Sequence, residues 1–183
     1  MNTPRGYTPY HFSEKSGKGY TLIELLIYTG ILILLVAVVG STLLSIARTY
    51  RSIAAEQAVE SAAHDGLGRM VQEIRNATSI DTGGSVLTTS PGQLSLNTKD
   101  LSGAAQVVQF FLSGQVLHAR EAGVDMGPLS PAAARITNLV FRSVTTSRST
   151  AIKIEMTVES GTSTSYRVRS FYDTALMRPS YAL

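Results

Sequence analysis

The feature that most constrains this chain is an unbroken apolar segment near its N-terminus. Residues 25–47 are 23 consecutive positions without a charged side chain, and most of them are Leu, Ile, Val or Ala. A helix that crosses the hydrocarbon core of a bilayer needs about 20 such residues. A cleaved secretory signal has an apolar core of only about 7–15 residues. The length therefore favours a helix that spans a membrane.

Two other interpretations of this segment stay open. Ser45, Ile46 and Ala47 have the small-residue pattern of a signal-peptidase site, which would make the segment a removed secretory signal. An uncleaved signal anchor would have the same length and hydrophobicity. A buried helix in a soluble core is disfavoured because so long an apolar run would need to be covered on every side.

The charge distribution bears on both partners and orientation. The sequence has 16 basic and 13 acidic residues, for a formal net charge of +3. Residues 1–19 hold three of the basic residues and one acidic residue, so the rest of the chain is nearly neutral. Nucleic-acid binding requires Lys and Arg clustered on one face, and no nucleic-acid partner is expected. The basic residues before the span favour a cytoplasmic N-terminus, although Arg48 and Arg51 follow it closely.

The residues that usually carry catalysis or metal binding form no recognisable pattern. The sequence has no cysteine, which excludes disulfides, cysteine-ligated zinc and thiol chemistry. Its histidines are scattered: His11, His64 and His118. Three aspartates lie in predicted loops, without the spacing of a calcium-binding loop: Asp81, Asp100 and Asp125. The sequence therefore predicts no enzyme, no catalytic residue, no metal site and no cofactor.

A ten-residue motif stands at the start of the apolar segment. The run Lys-Gly-Tyr-Thr-Leu-Ile-Glu-Leu-Leu-Ile occupies residues 18–27. It resembles the class III signal of type IV prepilins and type II secretion pseudopilins, in which a short basic leader ends in Gly. This resemblance implies that a prepilin peptidase cuts between Gly19 and Tyr20 and that the new N-terminal residue is N-methylated. Tyr20 stands where the family usually has Phe, and it keeps the aromatic ring.

Glu24 is the fifth residue after the implied cut. A carboxylate inside an apolar helix costs about 2.5–3.5 kcal/mol at the centre of the bilayer and less near its edge. Glu24 is either an interfacial residue that reaches the headgroups or one that pairs with a cation inside the membrane. The cation implied by the resemblance is the amine of Tyr20 on a neighbouring subunit. That pairing makes Glu24 an assembly residue.

Helical periodicity continues beyond the membrane segment. Apolar residues recur at a spacing of 3.6 in one stripe: Val59, Ala63, Leu67, Met70, Val71 and Ile74. This predicts one helix over 20–76, followed by a break at residues 82–84. The predicted organisation is a leader over 1–19, a transmembrane or filament-core helix over 20–47, an amphipathic continuation over 48–76 and a β domain over 77–183.

The C-terminal part has the pattern of antiparallel strands. We expect strands over 94–96, 105–112, 115–121, 136–145, 152–159 and 165–173, with a hairpin turn at Ser113-Gly114 and a loop over 122–133. Residues 152–159 alternate strictly, with Ile152, Ile154, Met156 and Val158 on the buried face. Arg167 and Arg169 are predicted to face Glu155 and Glu159 across the last hairpin.

Two further segments resemble minor subunits of the same family. Residues 166–178 are similar to the last strand of J-type minor pseudopilins and W-type minor pilins, and residues 67–77 are similar to the end of their helix. The fold implied is α+β and pilin-like, with a long N-terminal helix packed on a C-terminal antiparallel β-sheet.

The function implied is that of a minor pilin or pseudopilin, assembled through its N-terminal helix into a secretion pseudopilus or a type IV pilus, near the tip. Its implied partners are other pilins, the prepilin peptidase, a membrane assembly platform and, before assembly, the lipid bilayer. The implied location is the inner membrane, with a cytoplasmic N-terminus and an extracytoplasmic C-terminal domain. The alternative is an uncleaved, signal-anchored extracytoplasmic binding module.

Overall fold

The computed structural model describes residues 19–100, 102–146 and 149–177. Across these residues the chain forms one long helix, a 3₁₀ turn at Ser163–Ser165 and eight strands. The helix is α1 (Leu22–Asn76), and the strands are β1 (Ser79–Ile80), β2 (Leu94–Lys99), β3 (Ala105–Ser113), β4 (Val116–Glu121), β5 (Val124–Pro128), β6 (Ala134–Thr145), β7 (Thr150–Ser160) and β8 (Arg167–Leu176). The predicted single helix is confirmed, and it begins two residues later than expected. The predicted leader over 1–19 lies outside the described residues except for Gly19.

The chain divides into two compact units, Met1–Leu44 and Ser45–Leu183. In the first unit the helical residues from Leu22 onward leave their side chains exposed; Leu22 is 82% exposed and Leu34 is 65% exposed. Within the described residues, this helix is the one that is long and apolar enough to cross a membrane. A row of exposed Leu, Ile and Val side chains is unfavourable in water and favourable in a hydrocarbon environment.

The second unit combines the C-terminal part of α1 with antiparallel strands, so the α+β class is confirmed in general form. The strands divide between two sheets, where a single sheet was predicted. One sheet has the order β1-β2-β3-β4-β5, and the other has the order β6-β7-β8. Each pair of neighbouring strands is antiparallel and adjacent in sequence. Because each strand pairs with its neighbour in sequence, each sheet forms without long crossover connections.

The core lies between α1 and the two sheets. Four residues of the predicted stripe are buried (Val59, Ala63, Met70 and Ile74), and Leu67 and Val71 are partly buried. Gly66 is buried as well, and a Cβ atom at its position would lie 2.9 Å from Leu117 Cδ2 on β4. This glycine, which weakens the helix locally, therefore permits the close approach of helix and strand.

The alternation predicted for β7 is confirmed. Its even-numbered residues from Ile152 to Val158 are buried, and its odd-numbered residues are half-buried. The β3–β4 hairpin is also confirmed, with its two-residue turn at Gly114-Gln115, one position later than predicted. Both turn residues have positive φ, 58° and 68°. This is typical of a type I′ turn, whose twist matches that of the flanking strands.

The predicted loop over 122–133 is wrong in part, because β5 lies within it. Val124 and Met126 on β5 are 64% and 59% exposed. An edge strand that buries so little has no buried face to impose an alternating pattern. Gly123, Gly127 and Pro128, which indicated a loop, instead flank or end this short strand.

The predicted partners of Arg167 and Arg169 are wrong. These arginines lie opposite Ser160 and Val158, on the face of β8 that is turned toward α1, whereas Glu155 and Glu159 lie on the other face. Arg167 Nε lies 3.4 Å from Glu56 Oε2. Arg169 contacts Glu56 and Glu60. The reason is register: a side chain can reach across a hairpin only to the residues of its own face.

The two glutamates of β7 have other partners on the outer face. Glu155 pairs with Arg142 and Lys153 at 3.1 and 3.0 Å. Glu159 pairs with Arg135 at 3.0 Å and accepts the Tyr166 hydroxyl at 2.7 Å. The arginines of β8 therefore do not pair with these two glutamates, and they connect this strand to the helix instead.

Candidate functional site

The candidate site is the segment over 19–24, where α1 begins. Gly19 and Tyr20 precede the helix, and both are exposed. Among the described residues other than its chain neighbours, no heavy atom lies within 4 Å of where a Cβ atom at Gly19 would stand. Tyr20 is 78% exposed, and its ring meets Tyr28 edge-on, with centroids 6.4 Å apart.

Glu24 folds back onto the first residue before the helix. Its Oε2 accepts the backbone N–H of Thr21 at 3.1 Å and the Thr21 hydroxyl at the same distance. In return, Thr21 Oγ1 accepts the N–H of Glu24 at 3.3 Å. This reciprocal arrangement is a capping box, which satisfies backbone donors that have no partner inside the helix.

The capping box shows a role for Glu24 that the sequence analysis missed. The signal was present in the sequence, because Thr at one position and Glu three positions later, just before an apolar run, is the pattern of a capping box. A carboxylate at this position also meets the positive end of the helix dipole. Both described bonds use the same oxygen, which leaves Oε1 without a donor among the described residues.

Asp81 and Asp100 lie between helices or strands as predicted, whereas Asp125 lies on β5, so its predicted loop position is wrong. Each of the three accepts the backbone N–H of the residue two positions later. Asp100 accepts the backbone N–H groups of Ser102 and Ala104, both at 2.8 Å. The hydroxyl hydrogen bond from Ser102 is the main reason why the pKa of Asp100 is lowered. Asp81 accepts the N–H of Gly83 at 3.1 Å. In the described part of the chain, no three acidic or histidine side chains converge as a metal site would require.

Asp125 differs from the other two aspartates because it also contacts a histidine. Its carboxylate lies 3.1 and 3.2 Å from His118 Nδ1 and accepts the Gly127 N–H at 2.8 Å. The pKa of Asp125 is lowered, first by the Gly127 N–H and then by His118. This pair ties the edge strand β5 to β4. His64 lies on α1, and no cluster of three possible metal ligands among the described residues includes it or His118. His11 lies outside the described residues.

A concave region with a volume of about 700 Å³ lies on the five-stranded sheet. Its lining combines apolar surface with amide and hydroxyl side chains, including Ser79, Asn97, Gln106 and Gln109, and Lys99 is its only charged residue among those described. A general acid or base needs a partner of suitable pKa within hydrogen-bond reach. The described lining residues offer no such pair.

No protein-family model, no curated protein and no solved structure matches this chain.

Proposed function

We propose that this chain is a minor pilin or pseudopilin that is assembled, through its N-terminal helix, into a type II secretion pseudopilus or a type IV pilus, near the tip. The proposal depends on three features that occur together in one segment. An exposed Gly-aromatic peptide bond lies directly before a helix whose first apolar half has no cover, and the same helix continues into a folded α+β unit. A removed signal peptide or an uncleaved signal anchor does not require a Gly-aromatic peptide bond directly before its helix.

Two features of the sequence support a minor rather than a major subunit. Residues 25–47 contain no proline, whereas major pilins usually carry one that bends the helix. The chain also lacks the cysteine pair that is usual in major pilins. Both are family expectations, and they agree with the resemblance of residues 67–77 and 166–178 to minor subunits.

Assembly would use the amine that cleavage creates at Tyr20. In low dielectric, both this amine and the Glu24 carboxylate are stabilised by an opposite charge. The open Oε1 of Glu24 gives an incoming amine a place to bind without breaking the capping box. A pair between neighbouring subunits would fix the axial offset of two helices, while the Leu, Ile and Val surface provides packing that has no preferred register.

The same proposal sets the partners and the location. The precursor would sit in the inner membrane with a cytoplasmic N-terminus and an extracytoplasmic folded unit. The prepilin peptidase, the assembly platform and other pilins would act on it in turn. The competing candidate is an uncleaved signal anchor that presents the α+β unit as a binding module, and it predicts a chain that retains residues 1–19.

Processing is the direct test. The chain extracted from membranes of cells that have a prepilin peptidase should begin at Tyr20 and carry one N-methyl group, as read by intact mass and N-terminal sequencing. Gly19→Leu should leave the full precursor in the membrane, because a branched side chain would occupy the position next to the scissile bond. Gly17→Leu is the matched control and should be processed normally. A wild-type chain that starts at Met1 or near Arg48 would refute the proposal.

A further inference from the structure

Strand β8 is an open edge. It is the last strand in the order β6-β7-β8, and no described segment pairs with its outer side. The face that it turns away from α1 has no charged side chain and is exposed along its length: Val168, Ser170, Tyr172, Thr174 and Leu176. The charged residues of β8 all lie on its other face (Arg167, Arg169 and Asp173), and an unpaired strand edge is a template for another strand.

The direction of the hydrogen bonds shows which backbone groups are free. The Met177 N–H donates to the Thr150 carbonyl at 2.9 Å, so the odd-numbered residues of β8 point their backbone groups toward β7. The even-numbered residues must then point theirs outward, because the direction alternates along a strand. The Thr174 N–H points away from β7 as expected, but it already donates to the Asp173 side chain at 2.7 Å, so it is not a free donor.

A groove runs beside this edge, on the side of α1. Its volume is about 300 Å³, and its apolar lining comes from Leu67 and Val71 on the helix and Phe171 on β8. All three side chains are only partly buried. A strand added to β8 would turn alternate side chains toward this groove. Main-chain hydrogen bonds with pockets for alternate side chains are the basis of strand-addition recognition.

Charge at the groove defines the chemistry of the partner. Glu60 and Asp173 lie at the groove, together with His64. Glu60 is already paired with Arg169, whereas none of the ion pairs among the described residues involves Asp173. An arginine or lysine on the incoming strand, facing the groove, would therefore meet an unneutralised carboxylate.

From these contacts we propose that the free edge of β8 and the adjoining groove bind an extended segment of a different polypeptide chain, one with an apolar residue and an Arg or Lys two positions apart. The spacing of two places both side chains on the groove side. A second copy of β8 has this pattern in Phe171 and Arg169, but its Arg169 is committed to its own Glu56 and Glu60. The inference does not depend on the proposed function, because every residue involved lies in the unit Ser45–Leu183.

The probe is a free peptide with the sequence of residues 167–176, in which the arginines have no helix to bind. It should bind the full-length chain in detergent saturably, as measured by fluorescence anisotropy. Ser170→Pro should weaken binding by about tenfold or more, because it removes an outward N–H while leaving the β7 ladder intact. Ser170→Ala, which loses the same hydroxyl contact to Thr157, should bind like wild type. Asp173→Lys should weaken binding, and Asp173→Asn should weaken it less.

A second arm needs no protein variant. For a peptide that pairs antiparallel with β8, N-methylation at the positions of Ser170 and Tyr172 should abolish binding, whereas N-methylation at Arg169 and Phe171 should not, because in antiparallel pairing only the first pair points its backbone groups toward β8. Absence of saturable binding, or equal binding of the two methylated peptides, would overturn strand addition. A concentration-dependent dimer of the wild-type chain that Ser170→Pro abolishes would overturn the assignment to a different chain.

Discussion

The substitution Ile154→Asp is expected to lower the free energy of unfolding of the α+β unit by about 4 kcal/mol or more. Ile154 is fully buried in the middle of β7, between Phe141 and Asp173 in the neighbouring strands. The substitution removes a buried aliphatic side chain and places a carboxylate between Phe141 and Asp173, neither of which carries a positive charge. Since small domains are stable by only about 5–15 kcal/mol, this loss would remove a large share of the total stability.

A fragment of residues 48–183 is suited to this measurement, because it lacks the apolar span and keeps the buried helix positions from Ala55 onward. We expect it to be soluble. Chemical denaturation followed by circular dichroism gives the free energy of unfolding. Thr157→Asp places the same carboxylate on the outer face of the same strand and should cost less than about 1 kcal/mol. Similar losses for the two variants would show that the assignment of the faces of β7 is wrong.

If the proposed docking by charge is right, Glu24→Gln is expected to reduce assembly by more than about a hundredfold. Removing one partner of a buried ion pair costs about 3–5 kcal/mol, since the other charge is left unpaired in low dielectric. Gln keeps the capping box, because its amide oxygen still accepts from Thr21. The loss would thus report the charge alone. Glu24→Ala should be equally defective, and Glu24→Asp should recover part of the function.

Thr21→Ala is the reciprocal control. It removes the hydroxyl of the capping box and keeps the Glu24 charge, at a cost of about 1 kcal/mol to the start of the helix. Crosslinking to partner pilins and output of the parent machine measure assembly, and membrane fractionation should show normal insertion for every variant. If Glu24→Gln assembles like wild type while Thr21→Ala does not, Glu24 acts only as a cap.

Periodicity predicted what depends on local residues. The stripe from Val59 to Ile74 has the period of a helix, and the alternation over 152–159 has the period of a strand. The 23-residue uncharged run has the length of a membrane helix. The structure confirms the helix and the strand. The hairpin at Gly114-Gln115 was predicted to within one residue, because turn chemistry is also local. Edge strand β5 was missed, since a strand that buries little carries no alternating pattern.

The sequence by itself determined the long apolar helix, the α+β class and the buried faces of α1 and β7. The reason is that burying one face of a helix or strand makes its apolar residues recur with the period of that element. Only the tertiary structure decided the division into two sheets, the pairing of Arg167 and Arg169 with the helix, and the groove beside β8. These depend on which strands become neighbours and in which register. A shift of one residue in strand register turns an arginine from one face of a sheet to the other. The sequence of a single strand does not indicate which strand it pairs with or in which register.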